Sequence, residues 1–541
     1  MSGNTGHRGE NEARHRLGGL VALLEARGIL RSVLPGGGAS IAGVAVGSVT
    51  HDSRRAAAGS LFVAVIGQND DGHMYALAAV QAGAVAVIAE RAIPGVAVPQ
   101  LLVHTARPAL ALAAAWVHDF PSRELGVVGI TGTDGKTTTA HLVRALLGAC
   151  AGPTGMVGTI DVVVGGRSLG NTGRATTPEA PELQAHLAGM VAAGDRFAVV
   201  EATSHGLAQD RAAEIDWDVA VLTNIGHEHL EFHRTHEAYR AAKRRLFESL
   251  ARPSGSDVGG KGVTTAVVNR DDAAADEFLD AARAAGAKLL TYGTDPRGSA
   301  DIRATSVHED ATGLTIAVAT PTWRDTVALP LAGRFNVHNA LAAIGVAEAF
   351  GIDPACIRAA LAAVEPVPGR MERIDQGQPF VVIVDYAHTP EALETVLDGL
   401  APLAAASGGG LIAVFGSAGD RDVMKRPMMG RIAGERCRLV VITDEDPRSE
   451  DRDAILEAIA DGAEAVGRRR DQDLLLIADR DAAIHRAIEL ARPGDVVVLC
   501  GKGHERSIEM RDGPVPWDEA EVARSALAAA GHVGRALSGR D

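Results

Sequence analysis

The feature that most constrains the fold is a regular alternation of apolar and helical segments in the last third of the chain. Five short apolar segments there read FVVIVD, LIAVFG, LVVIT, LLLIA and VVVLC. The segments between them have the apolar spacing of helices, which we predict at 391–404, around 427–436, at 453–466 and at 482–490. Strands this apolar are covered on both faces, so the pattern predicts a parallel, doubly wound α/β sheet.

The carboxyl ends of these strands are where a ligand is expected, because open α/β sheets bind ligands beyond the carboxyl ends of their strands. The ends fall at Asp385, Gly416, Thr443, Asp479 and Gly501, and polar clusters follow four of the five. We therefore predict a binding site along this edge of the sheet.

A second informative segment, residues 124–148, predicts a strand, a Gly-rich loop and a helix in that order. The loop reads TGTDGKTT at 131–138, and in this context backbone N–H groups and a Lys cradle phosphates while a hydroxyl reaches Mg²⁺. It is a shortened Walker A pattern, because Ile130 stands where the general pattern requires Gly. A Gly-rich turn with an incidental Lys is the alternative, but the order of the elements favours a phosphate loop.

Length and composition bound the organisation of the chain. Its 541 residues, 46% apolar and 22% charged, are enough for about three or four folded domains. We predict domains at 1–121, with a polar tail at 1–16, and at 122–366 and 367–541; within the first, residues 17–34 have helical spacing.

Charge and the absence of long apolar runs limit the partners. The net charge of −15 repels nucleic acid and anionic membranes, so a polyanionic substrate must be bound by local cations. No run of 18 apolar residues occurs, and the first residues are polar. We expect a cytoplasmic protein with no nucleic-acid partner and no membrane insertion.

Lys243 is an anomaly in its predicted helix, because it shares a stripe with Tyr239, Leu246, Phe247 and Leu250. By default such a Lys extends its ammonium to water. If it is instead held inside, burial lowers its pKa, and the neutral amine can act as a nucleophile or take up CO₂ as a carbamate. The spacing leaves both interpretations open.

Glu201 ends a predicted strand and is followed by Thr203, Ser204 and His205. A carboxylate near a phosphate loop commonly binds Mg²⁺, although a lone strand-end Glu is about as often a helix N-cap or a surface charge. The histidine-rich segment 227–236 suggests zinc, but a cation that accompanies ATP prefers oxygen ligands.

Taken together, these motifs resemble the Mur ligase family, and within it the MurE type. The resemblance extends over nearly the whole chain from Asp52. The segments that carry it are DSR at 52–54, GTDGKTT at 132–138, TTP at 176–178, EATSHGL at 201–207, TNIGHEHLEFH at 223–233, AAK at 241–243, VNRDD at 268–272, FNVHNALAA at 335–343, GRMERI at 369–374, VDYAHTPEAL at 384–393, FGSAGDRDVMKRP at 415–427, DEDPRSED at 444–451 and GKGHE at 501–505.

The resemblance implies a three-domain architecture, with a central P-loop ATPase-like domain and a C-terminal Rossmann-like domain. It implies an ATP-dependent acid–amino-acid ligase of peptidoglycan synthesis, and thus a role in cell shape and division. Such an enzyme adds the third-position diamino acid to UDP-N-acetylmuramoyl-L-alanyl-D-glutamate through an acyl phosphate. The expected cofactors are ATP and Mg²⁺, the partners are small-molecule substrates, and we expect a monomer.

Residue roles follow from matching positions of the family's motifs. The resemblance assigns catalysis to Lys136, Lys243 and His205. It assigns Mg²⁺ to Thr137, Glu201, His229 and a carbamylated Lys243. Residues matching the nucleotide site are Gly132, Thr133, Asp134, Gly135, Lys136, Thr137, Thr138, Asn269, Asn339, Arg370, Asp385 and His388.

The substrate positions divide into two groups. Those matching the UDP-precursor site are Ser53, Thr176, Thr177, Thr203, Gln209 and Arg211. Those matching the amino-acid site, which we call the amino-acid motif, are Arg421, Glu445, Asp446, Pro447, Arg448, Gly501 and Glu505.

The third amino acid is predicted from two residues of the amino-acid motif. Arg448 favours meso-2,6-diaminopimelate, because a guanidinium can bind its distal carboxylate bidentately. Asp446 opposes this, because it stands where enzymes of that specificity usually carry Asn; it could repel the carboxylate, pair with Arg448, or favour L-lysine or L-ornithine. More remote alternatives are a folylpolyglutamate synthase-like ligase and a non-catalytic UDP-sugar-binding protein.

Overall fold

The protein is represented by a computed structural model that describes residues 15–36, 40–67, 70–171, 175–226, 230–251, 261–310 and 312–532. The chain divides into two compact units. The first comprises Met1–Asp301 and Ala342–Asp353, and the second comprises Ile302–Leu341 and Pro354–Asp541. None of the helices in the described ranges combines the length and apolar character needed to cross a membrane.

The first unit begins with a five-stranded sheet in the order β1-β5-β4-β3-β2, in which only β1 runs antiparallel to its neighbour. The apolar spacing of residues 17–34 predicts one helix, but the helix ends at Ala26 and a strand follows. Gly28, at φ +65°, reverses the chain as glycines do beyond a helix end. The elements are α1 (Leu17–Ala26), β1 (Leu30–Leu34), β2 (Ser48–Thr50), β3 (Ser60–Val63), α2 (Ala76–Gln81), β4 (Ala86–Ala89), β5 (Gln100–Val103) and α3 (Ala106–Val117).

A second sheet of the first unit has the order β13-β12-β11-β6-β10-β7-β8-β9. Its strands from β13 to β7 are parallel, and β8 and β9 extend it antiparallel. The elements are β6 (Gly126–Thr131), α4 (Lys136–Cys150), β7 (Thr154–Val157), β8 (Val162–Val164), β9 (Arg167–Ser168), α5 (Ala180–Ala193), β10 (Phe197–Glu201), α6 (Ser204–Ala208), β11 (Val219–Leu222), α7 (Leu230–His233), α8 (His236–Glu248), β12 (Thr265–Asn269), α9 (Ala275–Ala284) and β13 (Lys288–Gly293).

In this sheet the strand, loop and helix predicted at 124–148 are observed as β6 and α4, with the loop between them. Apolar residues of the central strands pack against α5, α8 and α9, which accounts for their continuous apolar sequences. Polar groups therefore concentrate where the strands end, and Glu201 and Asn269 are the last residues of β10 and β12.

The second unit contains the predicted doubly wound sheet, in the order β17-β18-β22-β19-β20-β21. Its pairs are parallel except that between β17 and β18. Apolar clusters lie on both faces, as the sequence predicts. The elements are β17 (Glu372–Ile374), β18 (Val381–Asp385), α12 (Pro390–Ala406), β19 (Leu411–Phe415), α13 (Lys425–Arg436), β20 (Leu439–Ile442), α14 (Arg452–Glu464), β21 (Leu474–Leu476), α15 (Arg480–Glu489), β22 (Val496–Cys500) and α16 (Glu519–Ala529).

Several further elements lie outside the segments for which the sequence pattern predicts structure. A three-stranded antiparallel meander is formed by β14, β15 and β16, and a small hairpin by β23 and β24. Their bounds, with those of two helices between them, are β14 (Ile302–Asp310), β15 (Gly313–Ala319), β16 (Arg324–Leu329), α10 (Asn336–Ala349), α11 (Pro354–Ala362), β23 (Ser507–Met510) and β24 (Gly513–Pro516).

Candidate active site

The loop between β6 and α4 has the backbone of a phosphate cradle. Gly132 has φ +146°, and a Cβ there would lie 1.8 Å from Thr223 Oγ1, so only glycine fits. Gly135, at φ +79°, precedes the first residue of α4, whose free N–H groups and dipole favour an anion. The ammonium of Lys136 folds over the loop and donates to the carbonyl oxygens of Gly132, at 2.9 Å, and Thr133, at 2.6 Å.

The segment that follows β11 holds this loop in place. Thr223 Oγ1 donates to the Asp134 carbonyl at 2.6 Å, and the Asp134 N–H donates to Asn224 Oδ1 at 2.9 Å. The Gly226 N–H donates to Thr133 Oγ1 at 2.7 Å. The conformation of the loop is therefore set by neutral side chains and backbone groups of the adjacent strand end.

Glu201 lies beside the first turn of α4 and is completely buried. Its carboxylate accepts from the hydroxyls of Thr137 at 2.8 Å and Thr159 at 3.0 Å, and from the Thr159 N–H at 2.9 Å. A carboxylate and a hydroxyl at a phosphate loop are hard oxygen donors of the kind that Mg²⁺ prefers. In the described ranges, no group of three or more His, Cys, Asp or Glu residues is arranged to hold a metal.

Lys243 is 1% exposed, so the interpretation in which its ammonium reaches water is wrong. Its amine donates to the carbonyl oxygen of Gly132 and lies 4.6 Å from the centre of the Tyr239 ring. The Tyr239 hydroxyl is in turn 2.8 Å from Thr133 Oγ1. Two side chains one turn apart on α8 thus contact the phosphate loop.

Thr177, Thr203 and Arg211 form a polar cluster next to Glu201. Thr177 Oγ1 donates to the Glu201 carbonyl at 2.7 Å and is 3.0 Å from Thr203 Oγ1. Arg211 donates to the Thr177 carbonyl at 2.8 Å and forms a 3.0 Å ion pair with Glu179. Burial lowers the pKa of Arg211, and the Glu179 carboxylate opposes this shift, so the guanidinium is held beside Glu179.

Other predicted residues of the first unit lie nearby or along the same strand ends. Thr176 Oγ1 is 3.0 Å from Thr159 Oγ1, and Gln209 Oε1 accepts from Arg211 at 2.7 Å. Asn269 donates to the Thr223 carbonyl at 2.7 Å. His205 stacks with Phe232 at 4.1 Å between ring centres, whereas His229 is outside the described residues.

Ser53 lies in a short 3₁₀ turn after β2, capped by Asp52, which accepts from the Arg54 N–H at 3.0 Å. The next residue, Arg55, forms an ion pair with Glu182 in the first turn of α5. Because α5 begins just after Thr176 and Thr177, this pair joins the Ser53 turn to the helix that follows those residues.

In the second unit, three of the residues predicted to bind nucleotide, Arg370, Asp385 and His388, gather around the end of β18. The Asp385 carboxylate accepts from the N–H groups of Met371 at 2.8 Å and Ala387 at 2.9 Å. The Arg370 guanidinium lies 4.6 Å from the centre of the Tyr386 ring, and His388 Nδ1 is 2.8 Å from the Tyr386 carbonyl. Asn339 donates to Asn336 Oδ1 at 2.8 Å, at the start of α10.

The amino-acid motif contains a buried charge cluster. Asp446 accepts from the ammonium of Lys502 at 2.7 Å and from the Glu509 N–H at 2.9 Å, and Lys502 also donates to Glu505. The Lys502 side chain is 1% exposed and that of Asp446 is 10% exposed. The negative charge of Asp446 is thus paired within the protein.

Three other residues of this motif differ in how they are held. Glu445 is 6% exposed, and its Oε2 has no hydrogen-bond partner among the described residues. Arg448, half-buried at φ +53°, makes no side-chain hydrogen bond or ion pair with any described residue. Arg421 is exposed, and both arginines act on Asp420, whose pKa is lowered mainly by hydrogen bonds from Ser449 and further by the two positive charges.

Two protein-family models match most of the chain. The Mur ligase middle domain matches residues 130–347, and the Mur ligase glutamate ligase domain matches residues 369–503. A relative from Roseiflexus sp. (strain RS-1), named UDP-N-acetylmuramyl-tripeptide synthetase, is 50% identical over 493 residues, which is 90% of this chain and 96% of the relative. The chain belongs to the Mur ligase family. The predicted family and α/β fold class are confirmed.

Two further comparisons refine the relationship of this Mur ligase. A relative from Syntrophomonas wolfei subsp. wolfei, named UDP-N-acetylmuramoyl-L-alanyl-D-glutamate--2,6-diaminopimelate ligase, is 40% identical and covers 89% of this chain and 94% of the relative. A solved structure with the same ligase name is 32% identical, with a TM-score of 0.66, and covers 92% of this chain and 97% of that one. These relatives are ligases, and the Mur ligase fold extends over nearly the whole chain.

In this Mur ligase several residues of the site carry no signal of their own in the sequence. Lys502 lies in the GKGHE motif and Glu179 directly follows TTP at 176–178, whereas Thr159 lies in none of the motifs. Each of the three acts through a partner distant in sequence. Thr159 and Glu201 are 42 residues apart, and Lys502 and Asp446 are 56 apart. A charged residue inside the GKGHE motif is the one clue that points to Lys502.

Proposed function

We propose that this Mur ligase uses ATP to join meso-2,6-diaminopimelate to the D-glutamate of UDP-N-acetylmuramoyl-L-alanyl-D-glutamate. The names of its relatives support the acceptor and the ligation. The use of ATP is supported by the phosphate loop, beside which the Thr137 hydroxyl donates to the buried Glu201 carboxylate. The proposed site of action is the cytoplasm, during peptidoglycan synthesis.

The proposed reaction has two steps. The side-chain carboxylate of D-glutamate takes the γ-phosphoryl group of ATP, releasing ADP and forming an acyl phosphate. The amine of the diamino acid then attacks the acyl carbon, phosphate leaves, the amine loses a proton, and an amide remains. The loop N–H groups and Lys136 would bind the phosphates, and Lys136 would stabilise charge in the transfer.

Thr137 and Glu201 are proposed to hold Mg²⁺, because their oxygens fit a hard cation. When bound, the ion neutralises phosphate charge. Lys243 is proposed to be carbamylated, which would add oxygen donors at a buried position beside the loop. The Arg211, Thr177 and Thr203 cluster, with Thr176, Gln209 and Ser53, is proposed to bind the UDP-precursor, since Arg211 offers a held cation to an anionic ligand.

Diaminopimelate is preferred over lysine and ornithine because of how the charges are paired. Asp446 is bound by Lys502 and the Glu509 N–H, so it is not available to a distal ammonium and does not oppose a distal carboxylate. The Arg448 guanidinium makes no hydrogen bond or ion pair with any described residue and can bind such a carboxylate bidentately. Lysine and ornithine have no distal carboxylate to pair with it.

The test is ADP release with UDP-N-acetylmuramoyl-L-alanyl-D-glutamate and each of the three amino acids. We expect the highest kcat/KM for diaminopimelate. A preference for lysine or ornithine of tenfold or more, about 1.4 kcal/mol of transition-state stabilisation, would overturn the interpretation of Arg448 but leave the ligase proposal intact. Absence of ADP release with all three would overturn the ligase proposal.

The domain limits 1–121, 122–366 and 367–541 and a monomeric state are part of this proposal. Three domains suit a reaction with an acyl phosphate, because closure of domains excludes water that would hydrolyse it. Limited proteolysis and sedimentation of the full chain test these two points.

A further inference from the structure

Arg480 is a fully buried cation that the proposed reaction does not use. It begins α15, and its side chain and that of its ion-pair partner Glu519 are both 0% exposed. The guanidinium donates to both carboxylate oxygens of Glu519, at 2.9 Å and 2.6 Å. Burying such a pair is costly unless its remaining donors are satisfied, so the other contacts of Arg480 matter.

Those contacts join two strand ends. Arg480 Nη1 donates to the Asp444 carbonyl at 2.8 Å, and Nη2 donates to the Cys500 carbonyl at 2.7 Å. Asp444 follows β20, and Cys500 ends β22. The next residues along the chain are Glu445 and Gly501. One guanidinium therefore holds the backbone immediately before two residues of the amino-acid motif.

Glu445 and Gly501 are close to one another and depend on that backbone. A Cβ on Gly501 would lie 3.3 Å from Glu445 Oε2, the buried oxygen that accepts no hydrogen bond from the part of the chain that the structure describes. Burial lowers the pKa of Arg480, but the carboxylate of Glu519 and then that of Glu445 more than offset this. Glu445 is thus a buried carboxylate that is near a fixed positive charge without being hydrogen-bonded to it.

The amino ends of the strands in the same sheet provide an internal comparison. There Arg438 pairs with Asp495, and Asp495 accepts from the Gly410 N–H at 2.8 Å. Arg438 also donates to the Leu490 carbonyl at 3.2 Å. These residues lie at the amino ends of β19, β20 and β22, where no residue of the amino-acid motif is found. Both ion pairs join strand ends, but the Arg480 pair does so at the carboxyl ends, where Glu445 and Gly501 of the amino-acid motif lie.

We propose that Arg480, neutralised by Glu519, is a positioning residue for the amino-acid site: it holds the ends of β20 and β22 so that Glu445 and Gly501 meet the incoming amino acid. The inference rests on the proposed function for the identity of that amino acid and for its place beside Glu445 and Gly501. Its effect is selective, because the contacts reach the amino-acid motif and not the phosphate loop.

The experiment compares four full-length proteins: wild type, Arg480→Lys, the double variant Arg480→Met with Glu519→Gln, and Arg438→Met. The double variant removes both buried charges together and leaves an acceptor for the Trp517 indole N–H, which donates to Glu519 at 2.6 Å. Thermal unfolding first confirms that each variant is folded. The KM values for ATP, UDP-precursor and diaminopimelate are then measured separately, with kcat.

We expect the double variant to raise the KM for diaminopimelate tenfold or more, with the other two KM values changed less than threefold. Arg480→Lys should show a smaller rise, because it keeps the charge but its three N–H donors cannot replace the four hydrogen bonds of Arg480. Arg438→Met should leave all kinetic values near wild type. Equal changes in all three KM values, or an unchanged diaminopimelate KM in a folded double variant, would overturn the inference.

Backbone hydrogen exchange provides a readout that does not need activity. Amide protection around residues 444–446 and 500–502 should fall in the double variant and not in Arg438→Met. If wild type fails to use any diamino acid, the proposed function fails, and exchange alone decides the role of Arg480. Unchanged protection at both segments would then overturn it.

Discussion

The phosphate loop and the amino-acid motif hold their charged side chains in opposite ways. At the loop, the contacts of Lys136 and Glu201 are to neutral groups: carbonyl oxygens for the ammonium, and hydroxyls and an N–H for the carboxylate. In the amino-acid motif, Asp446, Lys502 and Glu505 are paired with one another. Among the described residues, neither Lys136 nor Glu201 forms an ion pair.

The difference follows from what each region must do. A neutral hydrogen-bond partner orients a charged group without cancelling its charge, so the full charge remains for a phosphate or a cation. An opposite charge fixes orientation and lowers the cost of burial but leaves little net field. The proposed role of the loop is to bind charged ligands, whereas in the amino-acid cluster the single ammonium of Lys502 offsets part of the charge of two carboxylates.

The largest effect should come from the loop. We expect Lys136→Ala to lower kcat about a thousandfold, because one preorganised charge contact to a transition state contributes roughly 3 to 4 kcal/mol. Binding of the UDP-precursor should stay near normal, because its proposed contacts do not include Lys136. The measurements are ADP release and precursor affinity. The exposed Lys288→Ala is the control, and turnover near wild type in Lys136→Ala would refute the role of the loop.

The next effect tests the buried amine beside the loop. Lys243→Ala should lower turnover about a hundredfold or more, and small carboxylates such as acetate or formate should restore part of it by replacing the carbamate oxygens. A mass of 44 Da above the unmodified side chain is expected for a carbamate. Loss of activity with no rescue at any carboxylate concentration would show that Lys243 acts through its contact with Gly132 instead.

The third prediction removes one partner of the buried ion pair between Lys502 and Asp446. Lys502→Met leaves Asp446 buried and unpaired, so it should destabilise the fold and lower kcat/KM for diaminopimelate about tenfold by repelling the distal carboxylate. Adding Asp446→Asn should recover most of both losses. The double-mutant cycle is read from thermal unfolding and from kcat/KM. Additive losses would mean that the two side chains do not act as a pair.

The smallest effect concerns Asp52, beside Ser53. A hydrogen bond from the Arg54 side chain lowers the pKa of Asp52 from 3.8 to about 2. A depressed folded-state pKa stabilises the fold above the unfolded value, and this contribution is lost as pH falls from about 4 through 2. Because the Arg54 side chain is exposed, solvent screens the pair, and Arg54→Met should reduce stability at pH 7 only slightly.

The check is chemical denaturation of wild type and Arg54→Met at pH 7 and near pH 2. The difference in free energy of unfolding should shrink towards zero at the lower pH. A difference that stays constant with pH would assign the effect of Arg54 to packing and not to Asp52.

Much of the fold was predictable because it depends on local patterns. The strand, loop and helix around Lys136, and the alternation that forms the second unit's sheet, appear where the apolar spacing predicts them. The helix predicted across residues 17–34 failed because apolar spacing alone does not register a chain reversal at Gly28. The β14 to β16 meander has no comparably regular apolar run.

The sequence by itself determined the motifs, their order and hence the family, because phosphate binding and strand burial impose short-range patterns on the chain. It left two questions about charge: whether Lys243 reaches water, and whether the charge of Asp446 is paired within the protein. Tertiary structure decided both, by burying Lys243 against Gly132 and by bringing Lys502 to Asp446. The reason is physical: the state of a charge depends on its solvent exposure and on its nearest partners, and those partners come from distant parts of the chain.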